Sequence, residues 1–235
     1  MRRIGVFSLP NNLEQRKVVE RVIKKDPALL LSTSRQDMII CVGGDGTFFF
    51  AERAYPGVPK LLFRQSAICN KCSDGAIRFV LARLKQGRFR VMTAKKVEAV
   101  VAGRRFLAVN DIILRNREAQ HAIRFSVNVK DKMVRRNVIG DGVVVATAYG
   151  STAYFHAITG KTFSRGMGIA FNNATERIQP LFIAGKVHIT LTLLREQAVL
   201  VCDNDPRTAV LRPGQSVTIT TSKDEARIIT LEGER

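Results

Sequence analysis

Asp45 stands among glycines in the stretch VGGDGT, which runs from Val42 to Thr47. The flanking patterns predict a buried strand, a turn in which a ligand can approach the backbone closely, and a helix whose first amides can receive phosphate. We expect Thr47 to cap that helix. Because a carboxylate repels phosphate, we expect Asp45 either to bind a metal ion or to accept the proton of an attacking hydroxyl. The alternative is a tight turn in which Asp45 only accepts hydrogen bonds from nearby amides.

A second candidate stretch, GDGVVVATAYGSTAYFHA, runs from Gly140 to Ala157. It places a predicted strand, Val143 to Thr147, between an acidic turn and the sequence GSTAY. Ser151 and Thr152 are small hydroxyl residues that suit the start of a helix with unpaired amides, and this arrangement also suits a nucleotide. The alternative is a capped helix that follows a strand and binds nothing.

The elements that would position Asp45 alternate between strand and helix up to Gly87. Apolar periodicity predicts strands and helices in this order: strand Arg2 to Leu9, helix Leu13 to Lys25, strand Asp37 to Val42, helix Thr47 to Tyr55, strand Lys60 to Arg64 and helix Asp74 to Gly87. Such alternation is typical of an open, largely parallel sheet. We therefore expect a Rossmann-like α/β domain over residues 1–87.

From Arg88 onwards the pattern changes to short apolar runs separated by turns. The runs are VEAVVAG, FLAVNDIILR, IRFSVNVKDKMVRR, GVVVATA, VHITLTLL, QAVLVCDND, SVTITTS and ARIITLE. Alternating apolar and polar residues in several of them favour half-buried strands. The sequence predicts a β-rich domain over residues 88–235, a layered sandwich or a layered meander, and leaves open that the last residues return to the first domain.

The chain is strongly basic, with 38 Lys and Arg against 20 Asp and Glu and a formal net charge of +18. This charge should attract anions such as nucleotides, polyphosphate or nucleic acid. Trp is absent and aromatic residues make up only 7%, which argues against an RNA-binding module that stacks bases on aromatic side chains. Nucleic acid is the third and weakest partner class, because it rests on charge alone.

Cysteine usage and the first residues indicate a cytoplasmic protein. Four cysteines are too few for a disulfide-framed secreted domain, and the first apolar run is too short for a signal peptide or a membrane span. The pair Cys69 and Cys72 in CNKC has the spacing of half a zinc site or a redox pair. Its alternatives are ordinary reduced thiols, a disulfide, or a metal shared across a subunit boundary.

Together these motifs resemble the NAD kinase family. The resemblance rests on GGDGT (Gly43 to Thr47), on the Asn110–Asp111 dipeptide, and on Asp141–Gly142 followed by a strand and by GSTAY (Gly150 to Tyr154). They occur in the order of the family and at similar separations. GGDG alone is shared with diacylglycerol-type lipid kinases and phosphofructokinases, whereas GSTAY after DG and a strand is far more specific.

The resemblance implies a kinase that transfers a phosphoryl group from ATP, or from polyphosphate, to the 2′-hydroxyl of the adenosine ribose of NAD, with a divalent metal such as Mg²⁺. Asp45 would be the catalytic proton acceptor, and the phosphate-donor loop would comprise Gly43, Gly44, Gly46 and Thr47. The metal ligands stay unassigned. The residues that would contact NAD are Asp45, Gly46, Asn110, Asp111, His121, Asp141, Thr152, Ala153, Tyr154, Phe155, His156, Ala157 and Asp205. The family also implies a homo-oligomer, dimer or tetramer. No membrane partner is expected, and nucleic acid is not favoured as a partner.

The chain departs from the family pattern in several places. FRQSAICNKCSDG replaces a Gly-x-Asn segment followed by Leu-Gly-Phe-Leu, and Tyr149 stands where the family has the last Thr of TPT. Two alternatives therefore stay open. One is a lipid or other small-molecule kinase of the same superfamily, and the other is a nucleotide-binding regulator that kept the fold and lost turnover.

Overall fold

The computed structural model describes residues 2–64 and 74–232. The chain divides into two compact units, one from Met1–Thr93 with Ala226–Arg235 and the other from Ala94–Glu225. The domain boundary that the sequence predicts, between residues 87 and 88, stays a prediction. The CNKC pair, Cys69 and Cys72, lies outside the described residues.

The helices and strands follow the chain in this order. The elements of the first part are β1 (Arg2–Ser8), α1 (Leu13–Lys24), β2 (Leu29–Leu31), β3 (Met38–Val42), α2 (Asp45–Ala54), β4 (Lys60–Phe63) and α3 (Asp74–Lys85). The later elements are β5 (Phe89–Val101), β6 (Arg104–Ala108), β7 (Asp111–Asn116), β8 (Ile123–Val129), β9 (Lys132–Gly140), β10 (Gly142–Thr147), α4 (Tyr154–Thr159), β11 (Met167–Asn172), β12 (Leu181–Ile183), β13 (His188–Arg195), β14 (Ala198–Cys202), β15 (Ala209–Leu211) and β16 (Ser216–Leu231).

The first unit is an α/β layer built on a parallel sheet. Its strands lie in the order β2, β1, β3, β4, and the end of β16 pairs in parallel with β4. All five residues of β3 are buried, as expected for a central parallel strand with both faces covered. Apolar side chains of α1 and α3, including Ile23 and Leu84, pack with those of the sheet in one core.

The second unit is a sandwich of antiparallel sheets. One sheet runs in the order β16, β13, β8, β9, and the other in the order β12, β11, β10, β7, β14, β15. Side chains from both sheets share one core, with Phe125 and Leu191 from the first and Ile112 and Val145 from the second. This packing confirms the fold class: an α/β part followed by a β-rich, layered part.

Several element boundaries differ from the sequence-based ones. The run FLAVNDIILR is two strands, because the chain bends at Val109 and Asn110. The runs SVTITTS and ARIITLE are one continuous strand, β16. No helix within residues 2–64 and 74–232 has both the length and the apolar character needed to cross a membrane.

Candidate functional site

In the first unit, the stretch Gly43 to Gly46, here called the glycine turn, places Asp45 at the start of α2. Gly44 is the N-cap residue, and its carbonyl accepts hydrogen bonds from the amides of Thr47 and Phe48 at 3.0 and 3.3 Å. An acidic residue in the first helical turn is favoured by the helix dipole. The Asp45 side chain is 49% exposed. Its carboxylate is therefore accessible to a substrate.

The expectation that Thr47 caps α2 is wrong. The helix begins two residues earlier than predicted, so Thr47 is its third residue and is buried. Gly43 has φ of +143°, and a Cβ there would lie 2.3 Å from Thr47 Oγ1. The Thr47 hydroxyl thus occupies the space that a side chain at Gly43 would need, and only glycine fits.

Arg64 holds the Asp45 carboxylate. Its Nη2 donates to Asp45 Oδ1 at 2.5 Å. The two residues follow neighbouring parallel strands, since Val42 of β3 is in register with Phe63 of β4 and the Gly43 amide donates to the Phe63 carbonyl at 3.0 Å. Arg64 is not among the site residues predicted from the sequence. The signal that could have found it is a basic residue at the carboxyl end of the strand next to β3.

In the second unit, Val109, Asn110 and Asp111, here called the Asn110 corner, form the bend between β6 and β7. The carboxylate of Asp203 accepts hydrogen bonds from all three backbone amides, at 2.6, 2.9 and 3.2 Å. The Asp203 amide donates back to the Asp111 carbonyl at 3.1 Å. Asp203 therefore fixes the backbone of the corner, a role that the sequence analysis did not assign.

Asn110 and Asp111 present two unusual buried groups. The Asn110 side chain is buried, and its Oδ1 has no hydrogen-bond partner among the described residues. An unpaired buried oxygen costs roughly 1–3 kcal/mol, which a ligand donor would recover. Burial, together with the negative charge of Asp203, raises the pKa of Asp111 to about 7. A group that titrates near neutrality is unusual for a carboxyl and is typical of functional sites.

Hydrogen bonds join the Asn110 corner to Gly150–Thr152, a single 3₁₀ turn here called the GST turn. Thr147 Oγ1 donates to the Val109 carbonyl at 2.6 Å and accepts from the Gly150 amide at 2.9 Å. A Cβ on Gly150 would lie 2.2 Å from the Asn110 carbonyl oxygen, so the two backbones touch. The Ser151 hydroxyl lies close to two carbonyls, at 2.8 and 2.9 Å, and acts structurally instead of capping a helix.

The segment after the GST turn, predicted to contact NAD, separates into exposed and buried side chains. Thr152 and Ala153 lie at the turn, while Tyr154, His156 and Ala157 are exposed on α4. Phe155 is fully buried and packs with Val144, Ala146 and Ala170. Its side chain belongs to the core, so only its backbone remains for a ligand.

The remaining predicted NAD contacts lie in varied environments. Asp141 is half-buried and accepts from Asn173 Nδ2 at 2.9 Å. His121 is exposed, and its loop is held by Asn116 Nδ2. Asp205 is buried and forms an ion pair with Arg207 at 2.6 Å. Of the predicted residues in this unit, the structure brings Asn110 and Asp111 together with the GST turn.

A preformed metal cage is absent from the part of the chain that the structure describes. No group of three or more His, Cys, Asp or Glu side chains there could hold a metal ion. Mg²⁺ in phosphoryl-transfer sites is commonly held by one or two carboxylates together with substrate phosphates and water. The accessible carboxylate of Asp45 at the glycine turn fits that mode.

Comparisons with known proteins agree on one family. The family model of the ATP-NAD kinase C-terminal domain matches residues 109–231. An NAD kinase of Wolinella succinogenes is 30% identical over 72% of this chain and 63% of its own length. An NAD kinase of Thermomicrobium roseum is 27% identical over 99% of this chain and 87% of its own.

Two solved structures share the fold. A yeast NADH kinase complexed with NADH aligns with a TM-score of 0.81 at 16% identity, over 98% of this chain and 83% of that one. An NAD kinase from Archaeoglobus fulgidus in complex with ATP aligns with a TM-score of 0.74 at 18% identity, over 99% of this chain and 94% of that one. Because the matched family model covers more than half of the sequence, this chain belongs to the ATP-NAD kinase family.

Proposed function

We propose that this chain is an NAD kinase, which transfers the terminal phosphoryl group of ATP to the 2′-hydroxyl of the adenosine ribose of NAD and so forms NADP. The observation that carries the proposal is the Asn110 corner. There a buried amide oxygen without a partner among the described residues lies beside the GST turn, within the segment that the family model matches.

NAD binding is proposed to use the Asn110 corner and the exposed residues after the GST turn. The unpaired Asn110 Oδ1 accepts a hydrogen bond from a donor group of NAD, and Asp111 pairs with a hydroxyl. Each such bond is costly to leave unmade in a closed site. Tyr154 packs its ring on a ring of the dinucleotide. The further contacts proposed are His121, Asp141, Thr152, Ala153, Phe155, His156, Ala157 and Asp205.

Chemistry is proposed to centre on Asp45. Its carboxylate orients the 2′-hydroxyl and takes its proton as the oxygen attacks the terminal phosphorus of the donor. Gly43, Gly44, Gly46 and Thr47 leave room for the donor phosphates beside the amino end of α2. Bound Mg²⁺ would neutralise charge on the donor phosphates and would be held mainly by those phosphates and by water.

Several finer features are proposed on the family resemblance. Polyphosphate is a second phosphoryl donor, and the net charge of +18 suits such a polyanion. The protein is a homo-oligomer, dimer or tetramer, and works in the cytoplasm.

The experiment that tests this function is NADP formation by the purified protein. NAD or NADH is incubated with Mg²⁺ and either ATP or polyphosphate, and the product is measured with an NADP-specific dehydrogenase. We expect NADP with at least one donor. No product with either donor, despite tight NAD binding, would support a nucleotide-binding regulator. Phosphorylation of a diacylglycerol or a sphingoid base instead of NAD would support a lipid kinase.

A further inference from the structure

We propose that Arg64 is the residue that links phosphoryl-donor binding to the release of the proton acceptor. In the structure, Arg64 holds the Asp45 carboxylate. When the donor binds, the guanidinium moves to its phosphate oxygens and leaves Asp45 available for the acceptor hydroxyl. This inference rests on the proposed function, because it assumes that Asp45 is the proton acceptor.

The geometry places Arg64 where it can serve both partners. It directly follows β4, and its Nη2 lies 2.5 Å from Asp45 Oδ1. The glycine turn beside it has space at Gly44, since a Cβ there would meet no atom of residues 2–64 and 74–232 within 4 Å. A donor phosphate received at this turn would therefore lie next to both the guanidinium and the carboxylate. Arg64 also lies in FRQSAICNKCSDG, the segment in which this chain departs from the family pattern.

The ion pair is of a kind that exchanges partners easily. The Arg64 side chain is 64% exposed and that of Asp45 49%, and such solvent-exposed ion pairs contribute little to stability. Phosphate is the stronger competitor, because it carries more charge than a carboxylate and its oxygens also match the planar guanidinium in bidentate geometry. Losing the pair to a donor phosphate is thus favourable.

The exchange of Arg64 from Asp45 to the donor also reduces electrostatic repulsion at the turn. A carboxylate beside the polyanionic donor repels it, so the turn needs a cation while the donor approaches. The reaction then balances without any further reactant. The O–H bond of the acceptor breaks and its proton goes to Asp45, the oxygen bonds the terminal phosphorus, and the bond from that phosphorus to the leaving phosphate breaks. Arg64 contributes only hydrogen bonds and charge.

The test is ATP binding to the purified protein, measured by isothermal titration calorimetry with and without Arg64. We expect Arg64→Ala to raise the Kd for ATP about 10- to 100-fold, the loss typical of a hydrogen bond to a charged group. The Kd for NAD should stay within about twofold of the wild-type value. Arg64→Lys keeps the charge without the bidentate fork, so its Kd for ATP should lie between those of the wild type and Arg64→Ala. In turnover assays, guanidinium chloride should partly restore Arg64→Ala, whereas sodium chloride at equal ionic strength should not.

The matched control is Arg3→Ala. Arg3 also forms an exposed ion pair, with Asp37 at 2.7 Å, but it lies near the amino end of β1, and its removal lowers the net charge equally. It should leave ATP binding unchanged. Thermal unfolding is measured for each variant, and Arg64→Gln replaces Arg64→Ala if the latter unfolds. An unchanged Kd for ATP in a folded Arg64 variant, or equal losses for ATP and NAD, would overturn the proposal. Absence of NADP formation by the wild type would contradict the proposed function, while the ATP comparison would still decide the role of Arg64.

Discussion

At the scale of single residues, the chain uses three carboxylates in three different ways. Asp45 is half exposed and paired with Arg64. Asp111 is buried, with its pKa raised to about 7. Asp203 accepts hydrogen bonds from three backbone amides. These environments suit Asp45 to proton acceptance, Asp111 to ligand contact and Asp203 to positioning of the backbone.

The raised pKa of Asp111 predicts that the stability of the protein falls as pH rises from about 4 to about 7. In this window the folded protein keeps a proton on Asp111 that the unfolded chain, with a pKa near 3.8, has lost. Asp111→Asn cannot titrate, so its stability relative to the wild type should rise across the window by up to about 4 kcal/mol. Urea unfolding at several pH values measures this difference. Parallel stability curves for the two proteins would show that Asp111 does not titrate there.

The three amides bound by Asp203 predict that this residue controls NAD affinity without touching NAD. Asp203→Ala leaves those amides without their acceptor, at a cost of about 1–3 kcal/mol for each that stays buried and unpaired. We expect faster hydrogen exchange at residues 109–111 and weaker NAD binding by calorimetry, with Asp203→Asn in between. Glu176→Ala, which removes an exposed acid of the same unit, serves as the control. Normal exchange and normal NAD affinity in Asp203→Ala would refute this role.

Local motifs reveal the residues that carry chemistry, but not their partners. Asp45, Asn110 and Asp111 each stand in a short recognisable stretch. Arg64 lies 19 residues from Asp45, and Asp203 lies 92 from Asp111. Each partner reaches its site only because two strands lie side by side or two turns meet. Sequence spacing alone carries no signal for such pairs.

At the scale of elements, the glycine turn and the Asn110 corner both follow the end of a strand. In both, hydrogen bonds to a neighbouring segment fix the backbone. The period of the apolar residues predicted the strands on either side of these turns. It did not predict the break inside FLAVNDIILR, because Val109 continues the apolar run and a single polar residue such as Asn110 does not mark the end of a strand. Tertiary hydrogen bonds with Thr147 and Asp203 stabilise the bend. It also placed the start of α2 too late, since Asp45 and Gly46 are poor helix formers.

Two adjacent glycines of the glycine turn should respond differently to alanine. Gly43→Ala forces a Cβ to within 2.3 Å of Thr47 Oγ1 at a φ of +143°, whereas a Cβ on Gly44, at a φ of −91°, meets none of the described atoms within 4 Å. We expect Gly43→Ala to lower the free energy of unfolding by roughly 1–3 kcal/mol and Gly44→Ala to change it little. Chemical denaturation of both variants measures the contrast. Equal stabilities would mean that the turn relaxes around a side chain at either position.

At the scale of the whole molecule, composition and pattern determined the class of each unit. Alternating strands and helices indicated the parallel α/β part, and short apolar runs indicated the β-rich, layered part, which the packing of Phe125, Leu191, Ile112 and Val145 in one core confirms. The pairing order of the strands could not be predicted. Neighbours such as β7 and β14 are far apart in the chain, and many orders would bury the same apolar residues.

The central claim is that this protein phosphorylates NAD with Asp45 as the proton acceptor. Its most direct test is the kcat of Asp45→Asn relative to the wild type, measured with saturating NAD and donor, together with the Kd for NAD. We predict a kcat lower by about 10²- to 10⁴-fold, the range of positioned proton acceptors, with little change in NAD binding. A variant that forms NADP at the wild-type rate would contradict the account.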